Sequence, residues 1–200
     1  MTRASIMVLC LAVELLAGCA TTPRENFYTL SAGAPAEGVA ERADPIAASV
    51  AVGPVSLPEV VDRPQLVVRI AANRVAILEQ QRWAGPLKTE IARVIAENLG
   101  QLLGTPRASA DPENVMGDAD YRVLVDVQAF ESVPGEQVAI DALWSIRRRA
   151  SGAAKTGHST VRERTGGDGY DAVAGAHSRA LANVSRDIAE AVRALDAAGR

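Results

Sequence analysis

The chain has 200 residues, 48% hydrophobic and 22% charged, which suits one domain with a real apolar core. Its formal net charge of −3 gives no electrostatic pull toward nucleic acid. An aromatic content of 4% argues against a stacking surface for single strands.

The first residues have the layout of an export signal. Arg3 supplies a positive start, Ile6 to Leu16 form a short apolar run, and small Ala17 and Gly18 follow. The run is too short to span a bilayer, which takes about 20 apolar residues. Leu16-Ala17-Gly18-Cys19 resembles a bacterial lipobox, in which cleavage precedes a cysteine that is then acylated. Glu14 departs from the pattern, because a charge inside the apolar run weakens insertion. On this reading residues 1–18 are a lipoprotein signal peptide and Cys19 is the lipid attachment site. Cys10 leaves with the signal, so the mature domain keeps no thiol for a disulfide or a metal. Ala20, where an aspartate would favour inner-membrane retention, leans by analogy toward the outer membrane.

Residues 19–48 read as lipid anchor and flexible tether, rich in Thr, Ser, Gly, Ala and Pro. Within them Phe27-Tyr28-Thr29-Leu30 is a strand-like island expected to dock on the domain edge, since exposed adjacent aromatics are a liability. The domain proper is expected over 49–200. Ser49 to Val55 is β-rich and Gly53-Pro54 punctuates it. Leu66 to Ile70 and Val75 to Leu78 are two short strands, joined by a turn at Ala71 to Arg74. Gly85-Pro86 starts a helix whose Leu87, Ile91, Val94, Ile95, Leu99 and Leu102 form one apolar stripe, ended by Gly104 and Pro106. Residues 104–119 read as a polar connection.

Tyr121 to Glu131 alternates, with Tyr121, Val123, Val125, Val127 and Ala129 on one face. Gln137 to Arg149 returns with Val138, Ile140, Ala142, Trp144 and Ile146 inward, and His158 to Arg164 adds a third strand. Tyr170 to Leu195 is the closing helix, with Asp171 as N-cap. Val173, His177, Leu181, Val184, Ile188, Val192 and Leu195 share its buried face, and Ala176 and Ala180 allow close approach. The predicted fold is α/β: a mixed, largely antiparallel sheet with two main helices packed on it. A single compact layer of this kind predicts no large cavity and no bound lipid.

A search for convergent chemistry finds no G-x-S-x-G, no H-E-x-x-H and no phosphate loop before a helix. Gly166-Gly167-Asp168-Gly169 lacks the Lys-Ser/Thr of a P-loop and the repeated acids of a calcium loop, and reads as a tight turn. His177 on an apolar stripe reads as a core residue, and His158 as a solvated one. Neither has metal-ligand spacing to another candidate, so no catalytic residue, metal or cofactor is assigned. Arg147-Arg148-Arg149 is either a patch for anionic lipid or an acidic partner, or a solvated strand end. Leu57-Pro58 and Val60-Val61 precede Asp62-Arg63-Pro64. That segment is either a partner-binding loop or a structural loop fixed by its own ion pair.

Taken together the residues resemble the ABC-type transport auxiliary lipoprotein family, the PqiC-like group. The resemblance rests on Phe27-Tyr28-Thr29-Leu30, then Leu57-Pro58 with Asp62-Arg63-Pro64-Gln65-Leu66-Val67, then Arg82-Trp83 and Pro86-Leu87 leading into Ile91 to Leu99. Val125-Asp126-Val127, Ala142-Leu143-Trp144 and Ser185 to Ala189 complete it. Ala84-Gly85 stands where the family often has an acid. The resemblance implies a non-enzymatic accessory of an MCE-domain and ABC-type system that moves lipids or other hydrophobic compounds between membranes. Its expected partners are the MCE-domain protein, the ABC components and the membrane, with further copies of itself as an additional option. The competing reading is a structural or assembly lipoprotein of the outer membrane that binds peptidoglycan or another envelope protein.

Overall fold

A computed structural model describes residues 24–33, 45–110 and 119–199. The expected signal peptide and Cys19 lie outside the described residues, as does most of the segment read as tether.

Ten elements follow in chain order: β1 (Asn26–Tyr28), β2 (Val50–Ser56), β3 (Gln65–Ala71), β4 (Arg74–Trp83), α1 (Leu87–Leu103), β5 (Ala108–Ser109), β6 (Tyr121–Val133), β7 (Gln137–Arg148), β8 (Ala154–Arg164) and α2 (Tyr170–Ala197). The strands divide into two sheets, where the sequence suggested one. The larger has the order β5-β2-β6-β7-β8 and the smaller the order β1-β4-β3. β6, β7 and β8 form the expected antiparallel meander, while β2 runs parallel to both β5 and β6. The mixed character arises because α1 and the connection after it carry the chain from β2 to β6 as a crossover.

Both helices lie on one face of the larger sheet. α1 covers β2 and β5, α2 covers β7 and β8, and the helices touch each other. α1 begins where Pro86, with extended backbone, allows the next residue to turn helical, and it ends at Gly104 with φ of 65°. A Cβ at Gly104 would press on Pro45, so glycine answers both a left-handed backbone and a close neighbour. The α1 stripe is buried as its spacing requires, with Leu103 more deeply placed than Leu102. On α2 every stripe residue from Val173 to Val192 is buried, including Ala176 and Ala180 at the helix contact. Its N-cap is Gly169, not Asp171, which sits in the first turn and contributes charge to the helix N-terminus.

The alternation of β6 is correct to Val127 and then fails. A register shift lies between Val127 and Ala129, leaving Gln128 as an extra residue. The bulge reverses the parity, so Phe130 and Ser132 are buried and Ala129 is not. This reversal aims Phe130 at Trp83 of β4 and at His177 of α2. The Phe130 and His177 rings stack 3.8 Å apart, and Trp83 meets both edge-on. The aromatic knot ties the small sheet to the large one.

The island at residues 27–30 docks as expected. β1 pairs in parallel with the end of β4, Asn26 opposite Gln81 and Tyr28 opposite Trp83. Leu30 is 1% exposed within the main core. Ser31 and Gly33 donate backbone N–H groups to Ser178 and Asn98, one on each helix.

Candidate functional surfaces

The Asp62-Arg63-Pro64 loop is held by its backbone. Val61 and Asp62 donate to the carbonyl of Pro58, Arg63 to that of Val61, and Trp83 donates to Pro64. The ion pair of the structural-loop alternative does not form among the described residues. Asp62 instead reaches Lys88 in the first turn of α1, at 2.6 Å. The Arg63 side chain is left with no hydrogen bond or ion pair among the described residues, and its Nε is buried without an acceptor. Asp62, Arg63 and Pro64 line a pocket of about 360 Å³ with Trp83, Gly85, Pro86 and Leu87. No side chain caps the start of α1, so its first amides face this end of the molecule without an intrahelical acceptor. A free guanidinium beside uncapped helix amides, walled by tryptophan and proline, is arranged to receive an anionic group on an apolar body.

A second surface is the face of the large sheet turned away from the helices. An open groove of about 730 Å³ runs over β2, β6, β7 and β8, contrary to the expectation of no large cavity. Its floor carries Pro54, Leu124 and Leu143, and Leu124 and Leu143 are each more than 40% exposed. Ser56, Asp126, Ser145, Thr156 and His158 give it polar edges. Asp126 accepts hydrogen bonds from Ser56 and Gln128. His158 lies mid-strand in β8, which begins four residues earlier than expected, and its Nε2 is 2.6 Å from Asp141 of β7. That pairing spans adjacent strands, so sequence spacing could not reveal it. Arg122 and Arg147 stand directly opposite each other at one end of the same face, neither with a partner among the described residues. Arg148 and Arg149 follow at the strand end, where the Arg149 amide donates to the Asp120 carbonyl.

The remaining candidates are structural. His177 is fully buried, and burial lowers its pKa to about 3, so the ring is neutral. Its Nε2 is 2.8 Å from the Ser132 hydroxyl, while Nδ1 has no partner. Among the described residues no Asp or Glu bonds to the ring, and both His177 and Ser132 are buried. Among the described residues no group of three or more His, Cys, Asp or Glu is placed to hold a metal, and no helix is long and apolar enough to cross a membrane. Gly166 and its neighbours form bends that lead into α2.

These features define an α/β domain of two sheets and two helices whose open features are shallow recognition surfaces. The family of ABC-type transport auxiliary lipoprotein components matches residues 28–189, and the chain belongs to that family. The fold is shared with solved structures of low identity. One, described as an uncharacterized protein, superposes with a TM-score of 0.68 at 18% identity, covering 85% of this chain and 99% of the other. Another, protein XCC0632 from Xanthomonas campestris, superposes with a TM-score of 0.58 at 17% identity, covering 82% of this chain and 92% of that one. No curated protein matches the chain in sequence.

Proposed function

We propose that this protein is a lipid-anchored accessory of an MCE-domain and ABC-type transport system that moves lipids or other hydrophobic compounds across the cell envelope. Cys19 carries the acyl chains, the outer membrane is the membrane it marks, and the folded domain recruits the rest of the system without catalysing a reaction. The observation that carries this reading is the family match over nearly the whole folded domain. The Asp62-Arg63-Pro64 loop serves as the partner-binding element, supported by the unpaired Arg63 guanidinium in its pocket. β8, an eleven-residue strand with β7 as its one neighbour among the described residues, is the surface through which copies of the chain would associate.

The test is affinity capture of the tagged full chain from envelopes, with mass spectrometry of what accompanies it. The expected result is an MCE-domain protein together with ABC permease or ATPase subunits. Cys19→Ser is expected to release the protein from the membrane with its fold intact and the transport phenotype lost. Arg63→Gln is expected to keep the anchor and lose the partners. Recovery of peptidoglycan or unrelated envelope proteins in place of transport components would refute the proposal.

A further inference from the structure

The large exposed apolar side chains are not scattered evenly. Three of them, Ile70, Val75 and Ile77, are 51%, 41% and 42% exposed and belong to one β-hairpin, β3–β4. From Ile70 to Ile77 the hairpin tip reads Ile-Ala-Ala-Asn-Arg-Val-Ala-Ile, with Arg74 as its only charge and no carboxylate. Arg74 has no partner among the described residues. Cross-strand pairing of Arg69 with Val75 and Val67 with Ile77 puts Val75 and Ile77 on one face. Ile70 is the extra residue of a bulge between Arg69 and Ala71, so alternation does not set its face, and it is exposed. A tip whose exposed side chains are mainly apolar, with one long cationic one, is unlike the ordinary hairpin end, which is polar.

The direction of β1 says what this tip meets. β1 runs parallel to β4, so the strand direction at Asn26, followed backwards, points along β4 toward the hairpin tip. Asn26 lies opposite Gln81, seven residues from Arg74 at the tip. Cys19 is likewise seven residues before Asn26. Seven residues of strand span about 23 Å, and seven residues of extended chain reach at most about 25 Å. An acylated Cys19 can therefore lie level with the hairpin tip and no farther beyond it than a few ångströms.

We infer that the β3–β4 hairpin tip is a second membrane contact, inserting Ile70, Val75 and Ile77 into the lipid interface beside the acyl anchor. The inference rests on the proposed acylation of Cys19. Arg74 extends its aliphatic stem along the apolar layer and holds its charge among the headgroups. The acyl chains supply the affinity, and the tip supplies orientation, because two contacts fix a rotation that a single point of attachment leaves free. The surface fits a lipid bilayer over a protein partner: it is small, its neighbouring Arg69 charge is neutralised by Glu131, Arg74 is the one unpaired charge at the tip, and it is placed at the level the anchor can reach.

The experiment uses the full chain purified from membranes and reconstituted in phosphatidylethanolamine–phosphatidylglycerol vesicles. Intact mass first reports whether Cys19 is acylated. A spin label at Ala72→Cys and a control at Glu190→Cys on the exposed side of α2 are then read for collision with oxygen, which partitions into lipid, and with a water-soluble nickel chelate. The expected result is a label at 72 in the lipid phase and a label at 190 in water. Ile70→Asn with Val75→Asn should move the first label into water while leaving the melting transition unchanged. For the Cys19→Ser chain, the same pair should weaken vesicle partition roughly tenfold. An unacylated Cys19 would refute the reading on which the inference rests. An acylated protein whose label at 72 collides with nickel as freely as the control would overturn the inference alone.

Discussion

Gly157→Ala probes the packing beneath the sheet groove. Gly157 lies in β8 opposite Trp144 of β7, and a Cβ built on it would overlap the Cζ2, Cη2 and Cε2 atoms of the Trp144 ring. The ring has no free direction of retreat. It is 8% exposed, and its Nε1–H donates to the Ser159 hydroxyl at 3.0 Å, which in turn donates to Asp187 at 2.5 Å. Accommodating one methyl group means moving an indole and breaking that chain. Overpacking a core costs about 1–3 kcal/mol. A buried donor left unsatisfied costs about 1–3 kcal/mol more. The loss of glycine from the unfolded chain returns about 0.4–1 kcal/mol. The net expectation is a destabilisation of about 2–4 kcal/mol, or roughly 5–15 °C in Tm for a domain of this size. Urea unfolding followed by tryptophan fluorescence and circular dichroism measures it. Trp144→Phe should relieve most of the clash, so the double variant should be more stable than the sum of the single effects predicts. A Gly157→Ala protein within about 0.5 kcal/mol of the parent would show that the ring is not held as described.

Three further outcomes are expected. Because folded His177 has a pKa near 3 and the unfolded ring titrates near 6.5, only the unfolded state binds this proton between those values. Stability should therefore fall as pH drops below about 6.5, by about 2 kcal/mol at pH 5 from this residue. His177→Phe with Ser132→Ala should flatten that limb of a denaturation series, and an unchanged slope would contradict a buried neutral ring. Asp120 is held below the usual carboxylate range first by the backbone and hydroxyl donors of Ser49, then by the Arg107 charge. Its stabilisation is present above the unfolded pKa and lost as pH falls through the folded one. Ser49→Ala keeps the backbone donor and removes the hydroxyl, so it should raise the Asp120 pKa part of the way as read by carboxyl NMR, and no movement would discount the hydroxyl donor. Leu181 is 1% exposed on the inner face of α2, and Leu181→Ala should cost about 2–5 kcal/mol in chemical denaturation.

Periodicity carried most of the fold. The α1 and α2 stripes, the β7 alternation and the turn before Arg74 are all local patterns, and each is legible in a window of a dozen residues. What escaped is set by partners distant in sequence. The bulge at Gln128 leaves no compositional mark, since Val-Gln-Ala-Phe reads equally well in either register. β5 is two residues long and exists because β2 offers an edge beside it. The division into two sheets depends on β1 and β3 pairing with β4 and on no strand bridging to β6. At the candidate loop the sequence marked Asp62, Arg63 and Pro64 and left open whether the adjacent opposite charges pair with each other. Lys88, 26 positions on, takes Asp62 instead, because the start of α1 folds beside the loop. That exchange turns a fixed structural turn into one with a cation to spare. The groove went unseen because the outer faces of β6 and β7 mix Leu with Arg, Asp and Ser, and a mixed face reads as solvated.

β4 relates the surfaces to one another. Its first residue, Arg74, stands at the hairpin tip, and its last, Trp83, walls the Arg63 pocket. Nine residues of strand separate the two ends by about 30 Å, close to the thickness of a bilayer's hydrocarbon core. If the tip rests in the lipid beside an acylated Cys19, the pocket points away from that membrane, at the height where a component bridging from the opposite membrane arrives first. The short reach from Cys19 to β1 then matters more than the anchor's affinity. A tether free to residue 48 would let the domain present any face. A chain captured at Asn26, with Leu30 sealed in the core, would under that inference present the Arg63 end outward and the hairpin inward. Lengthening the segment between Cys19 and Asn26 with a flexible insert should therefore leave membrane retention intact while weakening capture of transport components. Equal capture with a long insert would mean that orientation plays no part in recruitment.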